Sequence, residues 1–288
     1  MGCPCEVRLL ADSTEMAQQT AQACTSEAQR FERKYSRYLD ASVTSSINRS
    51  AGLSVTPIDP ETYGLLQYAG VCSEQSNGLF DITSGVLRQV WYKNRQTLPE
   101  QQALDQITRL IGWHKVILTE NDVFLPERGM EIDFGGVVKE YAADAIAMQI
   151  KASGISSGLV SLGGDIVAFG STSDNAPWPV GIVHPTEKDS AIATIYLQDR
   201  ALATSGGYER YFDIQGKRYS HLINPHTGWP VDSLLSVSVS ADQAIVAGSV
   251  SSIGLLFERH AALEWLAHSG FAYLAVDQDL NCYGTLAD

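Results

Sequence analysis

Three glycine-rich breaks follow strand-like segments and are the first places where this chain could do chemistry. They are Gly135-Gly136, Gly163-Gly164 and Ser205-Gly206-Gly207. Glycine lets the backbone approach a ligand closely and present N–H groups to an anion. Each break alone is equally well explained as a strand-end turn, but three of them favour a pocket lined by backbone. None has the GxGxxG or GxxxxGK[ST] pattern, so the sequence supports neither a Rossmann dinucleotide site nor a P-loop.

A histidine beside a turn is the second candidate. His221 lies in "SHLINPHTGWP", where Asn224-Pro225 and Thr227-Gly228 break the chain soon after an apolar pair. Such a histidine could face a core neighbour, a metal or a substrate. From these residues alone, a hydrogen-bonded structural imidazole is the simplest interpretation.

Charged residues flank the first glycine pair. Asp133 stands where a strand is predicted to end, a position from which a carboxylate can reach a pocket. Lys139 falls in the first turn of a predicted helix, where a cation opposes the helix macrodipole by about 0.3 to 1 kcal/mol. An anionic ligand at that helix start would explain the lysine. Asp144, further along, is interpreted as a solvated or structural acid.

The predicted buried helix at 244–258 is unusual because one side of it is very small. Gly248 and Ser252 are four residues apart and therefore share a face. A glycine inside a helix costs about 1 kcal/mol relative to alanine, so something should compensate for it. Close packing against another helix and a bound ligand are both open explanations.

Composition restricts the kinds of partner. The net charge of −13 argues against nucleic acid, whose binding depends on Lys and Arg. A ligand that carries phosphate must then be held by backbone amides, a helix N-terminus or a metal ion. No apolar stretch approaches the roughly 20 residues that span a bilayer. The sequence as given shows no signal peptide, which predicts a cytoplasmic protein, or a periplasmic one if an export signal was trimmed.

The elements that must position these residues alternate without a βαβ rhythm. Helices are predicted at 13–38, 60–76, 99–112, 138–152 and 244–258. Strands are predicted at 5–11, 130–136, 178–184, 191–197, 208–214, 217–223, 235–239 and 271–276, with paired strands at 114–126 and 157–170. The polar run at 35–52 is predicted as an ordered loop. This pattern favours an α+β fold over a doubly wound sheet.

Seven segments resemble the FAD:protein FMN transferases, the ApbE family, over nearly the whole chain. In the family's order they are "MGCPCEVRL", "FERKYSRYLDASVTSSINRSAG", "GLFDITSGVLRQVW", "IDFGGVVKEYAAD", "LVSLGGDIVAFG", "ATSGGYERYF" and "YSHLINPHTGWPV". The last is similar to the signature His-x-x-Asp-Pro-x-Thr-Gly, with Asn224 in place of the aspartate. The resemblance implies a single domain over residues 1–288. It also implies a two-lobed α+β fold, with largely antiparallel sheets flanked by helices and a ligand cleft between the lobes.

The resemblance implies an activity as well. Members of this family cleave FAD, transfer its FMN moiety to a Thr or Ser hydroxyl of an acceptor flavoprotein, release AMP and use Mg²⁺. By the resemblance, His221 is the base for the acceptor hydroxyl or a group that orients the phosphates. The candidate FAD-binding residues are His221, Met1, Tyr38, Asp133, Gly136, Lys139, Gly163, Gly164, Thr204, Ser205 and Gly206. The Gly136 carbonyl and Ser252 are the candidate Mg²⁺ ligands.

The departures from the family fall on the metal side. The family's last helix carries Ala-Asp-Ala-x-x-Thr, whose Asp and Thr both face Mg²⁺, whereas this chain reads "AGSVSS". Gly248 takes the aspartate position and Ser252 the threonine position. Glu140 stands where many members have glycine. We therefore expect room beside Gly248 and no carboxylate there, which should weaken Mg²⁺ binding because a hard cation prefers charged oxygens.

Three interpretations remain open from the sequence. The first is an active transferase in which the FAD pyrophosphate and backbone oxygens hold Mg²⁺, or another acid such as Asp165 compensates. The second is a catalytically degenerate FAD-binding protein that acts in flavin storage, delivery or sensing. The third is a scaffold without catalysis or ligand. Retention of His221, Asp133 and Thr204 argues against the scaffold.

Overall fold

A seven-stranded sheet, in which every neighbouring pair is antiparallel, lies at the centre of the protein. The computed structural model describes residues 2–187, 189–207 and 211–286. The α-helices are α1 (Thr14–Tyr35), α2 (Val43–Arg49), α3 (Pro60–Gln75), α4 (Gln101–Thr108), α5 (Val138–Ala152), α6 (Ala244–Leu256) and α7 (Arg259–His268). Short 3₁₀ helices cover Ile82–Gln89, Trp113–Lys115 and Phe134–Gly136.

Fourteen strands are present in the described residues, most of them short. They are β1 (Cys5–Leu10), β2 (Thr56–Pro57), β3 (Ile117–Leu118), β4 (Asp122–Phe124), β5 (Ser157–Leu162), β6 (Asp165–Phe169), β7 (Trp178–Val183), β8 (Ala191–Leu197), β9 (Arg200–Gly206), β10 (Tyr211–Ile214), β11 (Lys217–Ser220), β12 (Ser236–Ala241), β13 (Ala272–Val276) and β14 (Cys282–Tyr283). The central sheet has the order β1-β5-β6-β9-β12-β13-β14. The predicted α+β fold with mostly antiparallel pairing is confirmed.

Both faces of the central sheet are covered. Helices α5 and α6 pack on one face, α5 against β5 and β6, and α6 against β9 and β12. The β7–β8 pair covers the other face, where Trp178 and Ile182 share a buried cluster with Leu159 and Leu202 of the sheet. All six residues of β12 are buried, including its serines. Burial on two faces explains why the central strands lack the apolar-polar alternation of a half-exposed sheet.

Helix starts follow from capping residues that the sequence contains. Ser13 accepts a hydrogen bond from the Met16 amide at 3.1 Å and begins α1. Asp59 accepts from the Thr62 amide at 2.9 Å, and Pro60 follows as the first residue of α3. A side-chain oxygen at this position satisfies one of the amides that a helix leaves unpaired.

Two local predictions need correction, and a third falls partly outside the described residues. The predicted loop at 35–52 contains α2, because Ser42 caps that helix by accepting from the Ser45 amide at 3.0 Å. The segment at 130–136 is not a strand. The Asn48 side chain bonds both the amide of Ile132, at 2.7 Å, and its carbonyl, at 3.0 Å, so these groups join no ladder. Of the predicted strand at 208–214, residues 208–210 lie outside the described part and 211–214 form β10. Among the described residues, no helix is long and apolar enough to cross a membrane.

Candidate active site

The two helices on the sheet are held in register by an acid of α5. Gln243 precedes α6 and provides no side-chain cap, and Asp144 of α5 does so instead. Its carboxylate accepts from the Ala244 amide at 2.7 Å and from the Ile245 amide at 3.0 Å. Burial raises the pKa of Asp144, and these two bonds oppose that effect. Asp144 is therefore the structural acid that the sequence left as one of two alternatives.

Glu140, one helical turn before Asp144 in α5, lies against Gly248, one turn after Ala244 in α6. A Cβ placed on Gly248 would be 2.5 Å from the Glu140 Cγ and 3.1 Å from its Cδ. Glu140 is buried, with 6% of its surface exposed, and its Oε2 has no hydrogen-bond partner among the described residues. The expectation of room and no carboxylate beside Gly248 is wrong. The space is filled, and a carboxylate fills it from the other helix.

The Lys139 ammonium lies between two buried carboxylates. The Lys139 Nζ is 3.4 Å from the Glu140 Oε1 and donates to the Asp165 Oδ2. Burial lowers the pKa of Lys139, but the carboxylates of Glu140 and Asp165 outweigh it and the net shift is upward. Burial raises the pKa of Glu140, Lys139 opposes the rise and Asp165 adds to it, and the net value is about 8. Two acids thus share one ammonium, and these contacts answer why a lysine stands in the first turn of α5.

The second glycine pair forms the turn that presents Asp165. Gly163 and Gly164 connect β5 to β6 with φ values of +61° and +91°, and Leu162 pairs with Asp165 across the turn. Positive φ at both turn residues matches the right-handed twist of a hairpin and favours glycine. A Cβ on Gly163 would meet the Cys3 Cβ at 3.0 Å and the Lys139 Cδ at 3.5 Å. The predicted close approach of backbone is present here, with protein atoms as the neighbours.

The end of β9 connects this cluster to α6. The Thr204 amide donates to the Asp165 Oδ1 at 3.2 Å. The side chain of the next residue, Ser205, points to the opposite face of the sheet. Its hydroxyl, the Ser205 Oγ, lies 2.8 Å from the Ser251 Oγ and 2.9 Å from the Ser252 Oγ. Predicted residues from four segments therefore meet in one contact network.

A second group of predicted residues is joined by an arginine that the sequence interpretation missed. The Arg37 guanidinium donates to the Tyr38 hydroxyl at 3.0 Å and pairs with the Asp133 carboxylate. The Gly135 amide also donates to Asp133, at 3.0 Å. The turn at Phe134–Gly136 packs against α6, which places the two groups side by side. Its position directly before Tyr38, in the segment "FERKYSRYLDASVTSSINRSAG", was the feature of the sequence that pointed to Arg37.

His221 follows β11 at the edge of the same region. It is half-buried, and the residue before it, Ser220, lies against Gly207, whose Cβ would be 2.8 Å from the Ser220 Oγ. Gly207 directly follows Gly206 of β9, so the chain brings His221 next to the β9 end. Met1 lies outside the described residues.

The region joined by Lys139, Asp165 and Ser205 coincides neither with the two best-formed cavities nor with a cluster of acids in the described part of the chain. A cavity of about 550 Å³ lies elsewhere, lined by Asp81, Trp113, His114 and His226 among others. Across residues 2–187, 189–207 and 211–286, no group of three or more His, Cys, Asp or Glu could hold a metal ion. Any cation here must therefore also use hydroxyl, carbonyl or ligand oxygens.

The family model of the ApbE family matches residues 1–275. The chain belongs to the ApbE family. The FAD:protein FMN transferase of Escherichia coli K12 is 28% identical over 260 residues, which cover 87% of this chain and 74% of that protein. The FAD:protein FMN transferase of Treponema pallidum (strain Nichols) is 30% identical over 246 residues, covering 78% and 68%.

A solved structure agrees with the family assignment. The crystal structure of the ApbE protein from Thermotoga maritima matches with a TM-score of 0.88 at 28% identity, and covers 97% of this chain and 93% of that one. The predicted ApbE fold and the predicted enzyme class, a transferase, are confirmed. The assignments of individual ApbE site residues remain predictions.

Proposed function

We propose that this protein is an FAD:protein FMN transferase that moves FMN from FAD to a Thr or Ser hydroxyl of an acceptor protein and releases AMP. The observation that carries the proposal is the contact network at the β9 end. It joins Lys139, Asp165, Thr204, Ser205 and Ser252, which come from four separate segments of an ApbE-family chain.

The reaction needs few groups from the protein. The acceptor oxygen attacks the phosphorus of the FMN half, the phosphoanhydride P–O bond breaks, and AMP leaves with the bridging oxygen. The hydroxyl proton passes to a base, which we assign to His221 because it lies next to the β9 end. Holding the two reactants in line supplies much of the rate in phosphoryl transfer.

FAD itself would contact both groups of the site. Tyr38 and Asp133, which Arg37 joins, would hold the flavin end, together with the backbone at Gly136. The backbone at Gly163, Gly164 and Thr204–Gly206 would face the phosphates. Tyr38 is 79% exposed, and its ring, over which the Arg37 guanidinium lies at 5.1 Å, offers surface for stacking.

A divalent cation fits the residues present. A pyrophosphate brings negative charge to a protein whose net charge is already −13. The Ser252 hydroxyl and the Gly136 carbonyl would hold Mg²⁺, and the buried Glu140 Oε2 has no hydrogen-bond partner among the described residues. When bound, Mg²⁺ neutralises charge that develops on the leaving phosphate.

The degenerate FAD-binding protein is the weaker alternative, because the relatives above are named as transferases. The test incubates the purified chain with FAD, Mg²⁺ and a small acceptor domain carrying a flavinylation Thr. AMP is measured by chromatography and FMN on the acceptor by mass spectrometry. We expect equal amounts of both, and none with the acceptor Thr replaced by Val.

His221→Gln should lower kcat by about 10² to 10⁴, with a much smaller effect on FAD affinity. Tight FAD binding without AMP release from the native chain would instead identify a flavin-binding protein. AMP release without labelled acceptor would identify a hydrolase.

A further inference from the structure

Among the described residues, Glu140 carries a buried carboxylate oxygen that has no hydrogen-bond partner. Glu140 is 6% exposed, and its Oε2 contacts no donor, whereas its Oε1 lies 3.4 Å from the Lys139 Nζ. Buried polar atoms are almost always paired, so an unpaired one calls for an explanation. A ligand from outside the chain would supply such a partner at Oε2.

The charges around Glu140 indicate the sign of that missing group. Asp165 is buried beside it, with 2% of its surface exposed, and Lys139 serves both acids. A divalent cation at Oε2 would bring further positive charge to two carboxylates that share a single ammonium.

The surrounding atoms indicate a hard cation. Gly248 and Ser252 are one turn apart on the same face of α6, and Glu140 lies against Gly248. The Ser252 hydroxyl is 2.9 Å from the Ser205 hydroxyl, and the Phe134–Gly136 turn packs against the same helix. Carboxylate, hydroxyl and carbonyl oxygens are the donors that Mg²⁺ and Mn²⁺ prefer.

We propose that Glu140 is the carboxylate ligand of the divalent cation, supplied from α5 across the helix pair to the point where Gly248 of α6 carries no side chain. This inference rests on the proposed transferase function for the reason the cation is there. Gly248 is then glycine because the Glu140 stem occupies the volume of its Cβ. The two departures from the family pattern are one exchange, in which the acid moves from one helix to its neighbour.

If the acid has moved to α5, restoring the family aspartate by Gly248→Asp alone should impair the protein rather than improve cation binding. Gly248→Asp alone would drive its Cβ into Glu140, 2.5 Å from the Cγ, and place a third acid beside one lysine. The double variant Glu140→Gly/Gly248→Asp returns the carboxylate to α6 and frees the space. We therefore expect the single variant to be impaired and the double variant to recover.

The test measures Mn²⁺ binding to the full chain by electron paramagnetic resonance of the free aquo ion, with and without FAD. Glu140→Gln keeps the shape and removes the charge, and it should weaken Mn²⁺ binding at least about tenfold. Glu61→Gln is the matched control, because it makes the same substitution at another ion-paired acid, whose partners are Arg30 and Lys34. It should leave Mn²⁺ affinity unchanged. Glu140→Gly should bind poorly, and the double variant should regain most of the affinity.

Two results would overturn the inference: native Mn²⁺ affinity in Glu140→Gln, or no Mn²⁺ binding by the native chain in either condition. If Glu140→Gln does not fold, Glu140→Gly and the double variant decide, and equal affinity in those two also overturns it. If the native chain transfers FMN and Glu140→Gln keeps full Mn²⁺ affinity, only the assignment of Glu140 as a ligand of the cation is refuted. If Mn²⁺ binding depends on Glu140 but the native chain transfers no FMN, only the proposed transferase function is refuted.

Discussion

Replacing Gly248 by alanine tests the packing of α5 on α6 through its dependence on Glu140. The added Cβ would lie 2.5 Å from the Glu140 Cγ, 3.1 Å from the Cδ and 3.3 Å from the Oε1. The Cγ is only two bonds from the Cα, and the Glu140 side chain is buried, so the Cγ cannot move aside as the end of an exposed side chain could. Overpacking of this kind costs about 1 to 3 kcal/mol. Alanine returns about 1 kcal/mol of helix propensity, so Gly248→Ala should lower the free energy of unfolding by up to about 2 kcal/mol.

The same substitution should change sign when Glu140 is shortened. In a Glu140→Ala background no Cγ remains, so Gly248→Ala should raise the free energy of unfolding by about 1 kcal/mol. Gly64→Ala is the control, because Gly64 lies inside α3 and its Cβ would meet no atom within 4 Å. That change should stabilise both backgrounds by about 1 kcal/mol.

Urea unfolding at pH 7 in EDTA, followed by far-UV circular dichroism, measures all of these free energies. The structure implies a coupling of about 1 to 3 kcal/mol between positions 140 and 248. If Gly248→Ala has the same effect in both backgrounds, within about 0.5 kcal/mol, the two residues are not in contact and the assignment of Glu140 to this space is wrong.

Three further predictions concern stability. Asp144→Ala removes the cap of α6 and should lower the free energy of unfolding by about 1 to 2 kcal/mol in urea, and an unchanged value would contradict the capping contact. Gly163→Ala places a side chain at φ +61° and 3.0 Å from the Cys3 Cβ, and should cost about 1 to 2 kcal/mol in the same assay. Burial raises the pKa of Asp277, but hydrogen bonds from Asn281 and others lower it to about 2. Its carboxylate therefore stabilises the fold above pH of about 4 and loses that effect as pH falls towards 2. The stability gap between native chain and Asp277→Asn should shrink over that range, and a constant gap from pH 5 to pH 3 would refute the shift.

Much of the secondary structure follows from local chemistry. Asp59 with Pro60 predicts the start of α3, and the glycine pair at 163–164 predicts the turn between β5 and β6, because caps and turns depend on residues within a few positions. The segment at 130–136 shows where local chemistry fails. It has the composition of a strand, but the side chain of Asn48, 84 residues earlier in the chain, takes the hydrogen bonds of Ile132.

The site divides in the same way. The sequence by itself determined the family and the α+β class, and it already contained both departures, Glu140 and Gly248. Helical periodicity says that Gly248 and Ser252 share a face, but not which helix packs on that face. Only the tertiary structure, through the capping of α6 by Asp144, sets the register that brings Glu140 against Gly248. Contacts between distant segments depend on the packing of whole helices, which no local pattern encodes.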